Sequence, residues 1–264
     1  MKSNTIVAEL VDACHLRCAL CWNKNRTGSG KQMSLDTASK ILRRYDDVSY
    51  KISWFNWGEP LLYKEFETFA EMAKKTNAIN IISSSMSLPV SDERLESLRN
   101  FDSVCVSLSG MTPEVYNVYH TNGNFDLVMK NLRRLSQLKL NNVRFKWLTH
   151  KYNVFQLTEA RRFARVLGFK FSHGDLNCCV EDLVGGFDHE LLKVPKFPRK
   201  QHFCHIRYWT PIDVDGNYLL CCASQNVKIG YSIDDKVSSR ELRKAKSKTA
   251  LCGECDKNEY WRMF

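Results

Sequence analysis

The sequence has no run of about 18 apolar residues, the length a membrane-spanning helix needs, and so excludes one. Its N-terminus, MKSNTIVAEL, has no apolar stretch long enough for a secretory signal, so a reducing cytoplasm is the expected setting. Disulfides are rare there, and the 11 cysteines, an odd count, point to metal binding rather than to a disulfide framework. No internal repeat or low-complexity segment occurs. No helix-turn-helix, zinc-finger or RNP-type signature occurs either, which leaves a nucleic-acid partner without a motif behind it. What remains is ordinary globular composition, 44% apolar and 26% charged, in 264 residues. That is enough for one large domain, or a domain with an appendage.

The net charge is +10. Basic pairs are scattered, and two denser runs lie at Lys193 to Lys200 and Arg240 to Lys248. A solvated basic surface accounts for them. The functional alternative is attraction of an acidic partner: a phosphorylated metabolite, an acidic peptide or a nucleic acid.

Three cysteines near the N-terminus, Cys14, Cys18 and Cys21, are spaced C-x3-C-x2-C. Three thiolates at this spacing can hold three irons of a [4Fe–4S] cubane and leave the fourth iron open to a substrate or cofactor. A zinc knuckle or buried thiols are the alternatives, although zinc sites usually pair C-x2-C with a second pair or with histidines. The trio follows a short apolar strand pattern, Thr5 to Val11, and precedes a polar loop from Trp22 to Gln32. Further on, Trp57-Gly58-Glu59-Pro60 follows the strand-like run Ile52-Ser53-Trp54-Phe55.

These segments resemble the radical S-adenosylmethionine (SAM) superfamily. The resemblance implies that Cys14, Cys18 and Cys21 carry a SAM-binding [4Fe–4S] cluster. It also implies that Gly58 and Glu59, in the place of a Gly-Gly-Glu-Pro-like segment, bind the methionyl amino group of SAM. Two positions depart from the family pattern. Leu20 stands where an aromatic residue is common, and Trp57 replaces the first glycine, as the sugar dehydrogenases of aminoglycoside synthesis tolerate.

Along the first two thirds, strands alternate with helices. Strands are expected at Thr5–Val11, Lys51–Asn56, Ile79–Ser83, Ser103–Leu108, Val143–Thr149 and Lys170–Ser172. Helices are expected from Ser34 to about Tyr45, Lys64 to Lys75, Ser91 to Arg99, Pro113 to Tyr119, Asp126 to Leu138 and Phe155 to Leu167. Six such units imply an α/β fold of parallel strands joined by right-handed crossovers. By resemblance this is a partial (β/α)6 barrel. Function in parallel barrels gathers at the C-terminal strand ends, where the cysteine loop, Trp57–Pro60, Ser84–Ser85 and Ser107–Gly110 all fall. In the family, the ends of strands three and four contact the SAM carboxylate and ribose. That makes Ser84, Ser107 and Ser109 candidate cofactor contacts, with turn-satisfying roles as the alternative. His120 stands where related enzymes carry an arginine for the SAM carboxylate; a surface histidine at a helix end is the other reading.

The expected organisation is residues 1–175 as the partial barrel, 176–203 as a linker or substrate-side loop, and 204–264 as a small α+β iron–sulfur extension. In the last part, Arg207–Val214 and Asn217–Leu220 read as a hairpin turning at Asp215-Gly216, and Ser238 or Ser239 caps a basic helix to about Lys248. Four cysteines from three segments meet there, for a zinc ion or a second cluster. Cys204, Gly216 and Cys221 match the opening of the SPASM extension of radical SAM enzymes, and the chain ends soon after Cys255. This resembles the shortened twitch form, which implies an auxiliary [4Fe–4S] cluster on Cys204, Cys221, Cys252 and Cys255.

Cys222 is a buried spare, a swapped ligand or a hydrogen-atom donor of the kind peptide epimerases use. Cys178 and Cys179 could face the same cavity, and Cys105 reads as core. The resemblance implies reductive cleavage of SAM and hydrogen-atom abstraction from a substrate C–H bond. Three outcomes stand open: net oxidation through the auxiliary cluster, ranked first, epimerisation of a peptide or sugar with Cys222 as donor, or modification of a nucleotide or nucleic acid. A non-catalytic iron–sulfur protein is the reading of another class. The expected partners are an unidentified small-molecule or peptide substrate, acidic or phosphorylated, and a reducing electron donor such as flavodoxin or ferredoxin.

Overall fold

The computed structural model of the protein describes residues 4–19, 21, 29–175, 209–221 and 227–249. Strand and helix alternate in the order β1 (Asn4–Ala8), α1 (Leu35–Arg44), β2 (Tyr50–Ser53), α2 (Phe66–Lys74), β3 (Ile79–Ser84), α3 (Asp92–Ser97) and β4 (Ser103–Ser107). Then come α4 (Pro113–Tyr119), α5 (Phe125–Gln137), β5 (Val143–Thr149), α6 (Leu157–Val166) and β6 (Lys170–Asp175). Three further strands, β7 (Trp209–Ile212), β8 (Asn217–Leu219) and β9 (Lys228–Ser232), lead to α7 (Ser239–Ser247).

Local chemistry sets the helix starts. The Ser34 hydroxyl accepts the Thr37 N–H at 3.1 Å, with Asp36 in the first turn of α1 and Arg43 and Arg44 in its last. Thr112 caps α4 ahead of Pro113, whose missing N–H costs nothing at a first helical position. Asn124 caps α5 through the Leu127 N–H at 2.9 Å. Ser238 and Glu241 cap α7 reciprocally.

All described strands join one nine-stranded sheet, ordered β6-β5-β4-β3-β2-β1-β7-β8-β9. Pairing is parallel from β6 through to β7. The β7–β8 and β8–β9 pairs are antiparallel. The expected hairpin is therefore present, and β7 docks beside β1, so it extends the core sheet. Gly216 turns the hairpin at φ +83°, a left-handed conformation that suits glycine. A Cβ there would also meet Ile233 Cγ2 at 2.8 Å.

Along β3, β4 and β5, fully buried residues alternate with half-buried or exposed ones. Ile82, Val104, Val106 and Phe145 belong to the same core cluster as Ala38, Ile41, Phe69, Leu132 and Ala160 of the helices. Among the described residues, the helices therefore seal one face of the sheet; strands sealed on both faces bury every residue. Because the strands run parallel, the segments after β1, β2, β3, β4 and β5 all emerge at one edge. Among the described residues, no helix is long and apolar enough to cross a membrane.

Candidate metal and cofactor site

β1 is shorter than its apolar pattern suggests. It ends at Ala8, and the next residue, Glu9, turns its carboxylate into the interior. That carboxylate accepts three backbone N–H groups from the turn after β2: Asn56 at 3.3 Å, Trp57 at 2.9 Å and Gly58 at 3.0 Å. At the next residue, the Glu59 N–H donates to the Ala13 carbonyl at 2.9 Å. The Trp-Gly-Glu-Pro turn is thus bound directly to the residue preceding Cys14. The approach is close enough that a Cβ on Gly58 would lie 1.7 Å from the Val11 carbonyl oxygen.

The Glu59 side chain is 3% exposed and fully engaged. One carboxylate oxygen accepts the Leu61 N–H at 3.2 Å, and the other accepts the Ser85 N–H at 2.9 Å and the Ser85 hydroxyl at 2.8 Å. Its carboxylate therefore ties the end of β3 to the turn.

The cysteine loop rests on the end of α4. The Arg17 N–H donates to the Thr121 carbonyl at 2.9 Å and the Ala19 N–H to the Tyr119 carbonyl at 2.8 Å. Between them, Cys18 Sγ lies 3.5 Å from His120 Nδ1. Cys21 N–H closes the loop on the Cys18 carbonyl at 3.0 Å.

Burial pushes the Cys14 thiol up to about 12, with the charge of Glu59 adding to it. The Cys18 thiol is raised well above its usual range, chiefly by burial and then by Cys21 and Cys14. Three half-buried cysteines and a glutamate thus share one region, where, among the described residues, burial outweighs the charge of Arg17 at Cys14. Iron compensates a thiolate there, so the donor set fits an iron–sulfur cluster. Among the described residues, no three cysteine, histidine or acidic side chains converge on a single metal ion. A cubane places each thiolate on a separate iron and does not require such convergence.

Of the remaining expected contacts, the Ser84 hydroxyl accepts the Met86 N–H at 3.0 Å and satisfies its own turn. Ser107 is half-buried at the end of β4. Ser109 is completely buried, and its hydroxyl has no partner among the described residues. His120 is buried rather than on the surface; burial, with His150 beside it, lowers its pKa to about 3, so the ring is neutral. It stacks on Tyr116 with ring centroids 4.6 Å apart. Cys105 lies within β4, half-buried. Cys221 follows β8 and is half-buried, whereas Cys178, Cys179, Cys204, Cys222, Cys252 and Cys255 lie outside the described residues.

Three residues escaped the sequence reading. Glu9 stands inside an apolar run, and that buried charge was the one available signal. His15 and His150 are the others. His15 is half-buried within the cysteine loop, and His150, directly after β5, is fully buried.

Against this geometry, the family model of the radical SAM superfamily matches residues 9–164, more than half of the chain. The chain belongs to the radical SAM superfamily. That membership implies SAM and a SAM-binding [4Fe–4S] cluster. A probable GTP 3',8-cyclase from Methanococcus maripaludis strain C5 is 26% identical over 158 residues, 59% of this chain and 53% of that protein. Mycofactocin maturase MftC from Mycolicibacterium smegmatis is 23% identical over 162 residues, 61% of this chain and 41% of that protein. The chain spans about half the length of the curated relatives it matches.

Among solved structures, Streptococcus suis SuiB bound to precursor peptide SuiA superposes with a TM-score of 0.69 at 13% identity, over 96% of this chain and 66% of that one. BtrN in complex with AdoMet and 2-DOIA gives 0.54 at 17% identity, over 98% of this chain and 87% of that one. At these identities the likeness is one of fold.

Glu9 carries a first prediction. Burial pushes its carboxyl from the ordinary 4.5 up to about 7, against the three N–H bonds, which pull it down. A raised carboxyl contributes stability that is full below about 4.5 and lost as pH rises through about 7. Glu9→Gln lacks that titration and turns amide hydrogens toward a backbone donor. The variant should be less stable than wild type at pH 4.5. The gap should narrow by up to about 3 kcal/mol by pH 8, as read by urea denaturation. A gap independent of pH would show that Glu9 does not titrate in the folded protein.

Proposed function

We propose that the chain is a radical SAM enzyme whose Cys14, Cys18 and Cys21 hold the SAM-binding cluster and whose reaction is a net two-electron oxidation of a substrate C–H bond. The carrying observation is the union of the two motifs, with Glu59 N–H on the Ala13 carbonyl and Glu9 on the three N–H groups of the turn. When bound, the cluster supplies the electron that cleaves SAM to methionine and the hydrogen-abstracting 5′-deoxyadenosyl radical. The chain's own residues position: Gly58 and Glu59 hold the turn for the methionyl end of SAM, and the strand-end residues Ser107 and Ser109 line the same edge of the sheet.

In the finer reading, six β-α units form a partial barrel, and the segment from residue 204 is a twitch-type extension. Cys204, Cys221, Cys252 and Cys255 would hold its auxiliary [4Fe–4S] cluster, which would supply an acceptor for the second electron. The hairpin turning at Gly216 ahead of Cys221 supports this reading. A nucleotide substrate is the second reading, favoured by the net charge of +10 and by relatives named GTP 3',8-cyclase. Epimerisation with Cys222 as hydrogen donor is the third outcome.

Metal analysis and product labelling separate them. Anaerobically reconstituted protein should carry about eight irons with matching sulfide. About four irons, with zinc present, would remove the auxiliary cluster. Product formed in heavy water should lack deuterium at the reacting carbon; deuterium there means epimerisation instead. Turnover confined to nucleotides among the substrates tried would establish the second reading.

A further inference from the structure

We propose that His120 donates its Nδ1–H to the Cys18 sulfur and thereby raises the reduction potential of the cluster on Cys14, Cys18 and Cys21. His120 is a positioning residue, acting through the sulfur. The inference rests on the reading that these cysteines hold a cluster.

The geometry makes the pair more than a chance contact. Two backbone hydrogen bonds flank it, Arg17 N–H to the Thr121 carbonyl and Ala19 N–H to the Tyr119 carbonyl. Residues 17 to 19 thus lie against residues 119 to 121, with Cys18 opposite His120 at the centre. The ring is held from its own side as well. His120 ends α4, its N–H donates to the Tyr116 carbonyl at 3.0 Å, and its ring stacks on Tyr116 and meets Tyr119 edge-on at 4.9 Å. The Nδ1–Sγ separation of 3.5 Å suits a nitrogen–sulfur hydrogen bond.

Ligand chemistry then decides the proton. A sulfur bound to iron has no proton and can only accept. The imidazole nitrogen facing that sulfur is Nδ1, so the shared proton belongs on Nδ1. Donation to a cluster sulfur stabilises the more negative, reduced cluster and raises its potential. With the proton on Nδ1, Nε2 can accept, and it is buried without a partner among the described residues. It therefore suits an O–H or N–H of a ligand.

The test uses the full chain, reconstituted anaerobically, as wild type, His120→Leu and His120→Asn. The asparagine amide can replace Nδ1–H, and the leucine cannot. Neither substitution touches the flanking backbone bonds. Iron content is read first, then the potential by EPR-monitored titration. His120→Leu should lower the reduced-to-oxidised ratio at a fixed potential about fivefold, the worth of one hydrogen bond, and His120→Asn should restore most of it. Fe–S Raman bands of wild type reconstituted in D2O should shift, and those of His120→Leu should not. A wild type that loads no cluster overturns both this inference and the reading beneath it. A loaded wild type whose Raman bands ignore deuterium overturns this inference alone, whether His120→Leu matches its potential or fails to load.

Discussion

Gly58→Ala should weaken SAM binding in a protein whose sheet still forms. The added Cβ would sit 1.7 Å from the Val11 carbonyl oxygen and 3.0 Å from that of Ala13. Ordinary contact is about 3.5 Å, so the turn must move by more than about 1 Å. It has little room to do so. On one side Leu10 accepts the Met33 N–H at 2.9 Å, and on the other Glu59 N–H holds Ala13. Moving the turn also releases the N–H groups that Glu9 gathers, leaving a buried carboxylate unsatisfied, at a cost of about 1–3 kcal/mol or more. A misplacement of about 1 Å in a positioning element costs about 100-fold in rate. Equilibrium dialysis of SAM against reconstituted Gly58→Ala should therefore show binding about tenfold or more weaker than wild type, with turnover down about 100-fold. Circular dichroism should report unchanged secondary structure. Wild-type affinity in this variant would show that the turn does not position SAM.

Cys18→Ala should remove the SAM-binding cluster. Burial holds the Cys18 thiol well above its usual range, and it lies within the electrostatic reach of the other two. With it gone, only Cys14 and Cys21 of the trio remain. Iron should fall by about four per chain, and SAM cleavage should vanish. Cys105→Ala is the matched control, because Cys105 lies within β4 and belongs to no proposed ligand set. It should keep its full iron content. Equal iron in Cys18→Ala and wild type would contradict the assignment of the trio.

Local signals in the sequence carried the regular elements well. α4 and β5 run where the pattern placed them, at Pro113–Tyr119 and Val143–Thr149. In both cases cap chemistry or clean alternation marks the ends. The apolar pattern carries β1 three residues too far, because Leu10 and Val11 continue it past Glu9 while Glu9 serves the site and Val11 the bridge to Gln32. β9 was missed: its residues, Lys228–Ser232, are exposed or half-buried around Gly230 and show no buried face.

The pairing of β7 with β1 was not legible either. Register between segments about 200 residues apart leaves no periodic mark in either one. Within the site, cysteine spacing and the Trp-Gly-Glu-Pro turn were readable because they are local. The roles of Glu9 and of the Cys18–His120 pair depend on contacts that only the folded chain brings together.

One measurement tests the central claim most directly. Reconstituted protein, a low-potential reductant and SAM are incubated without oxygen, and the products are separated. The account predicts 5′-deoxyadenosine and methionine from wild type and neither from Cys18→Ala. Wild type that carries its clusters and leaves SAM intact would contradict it.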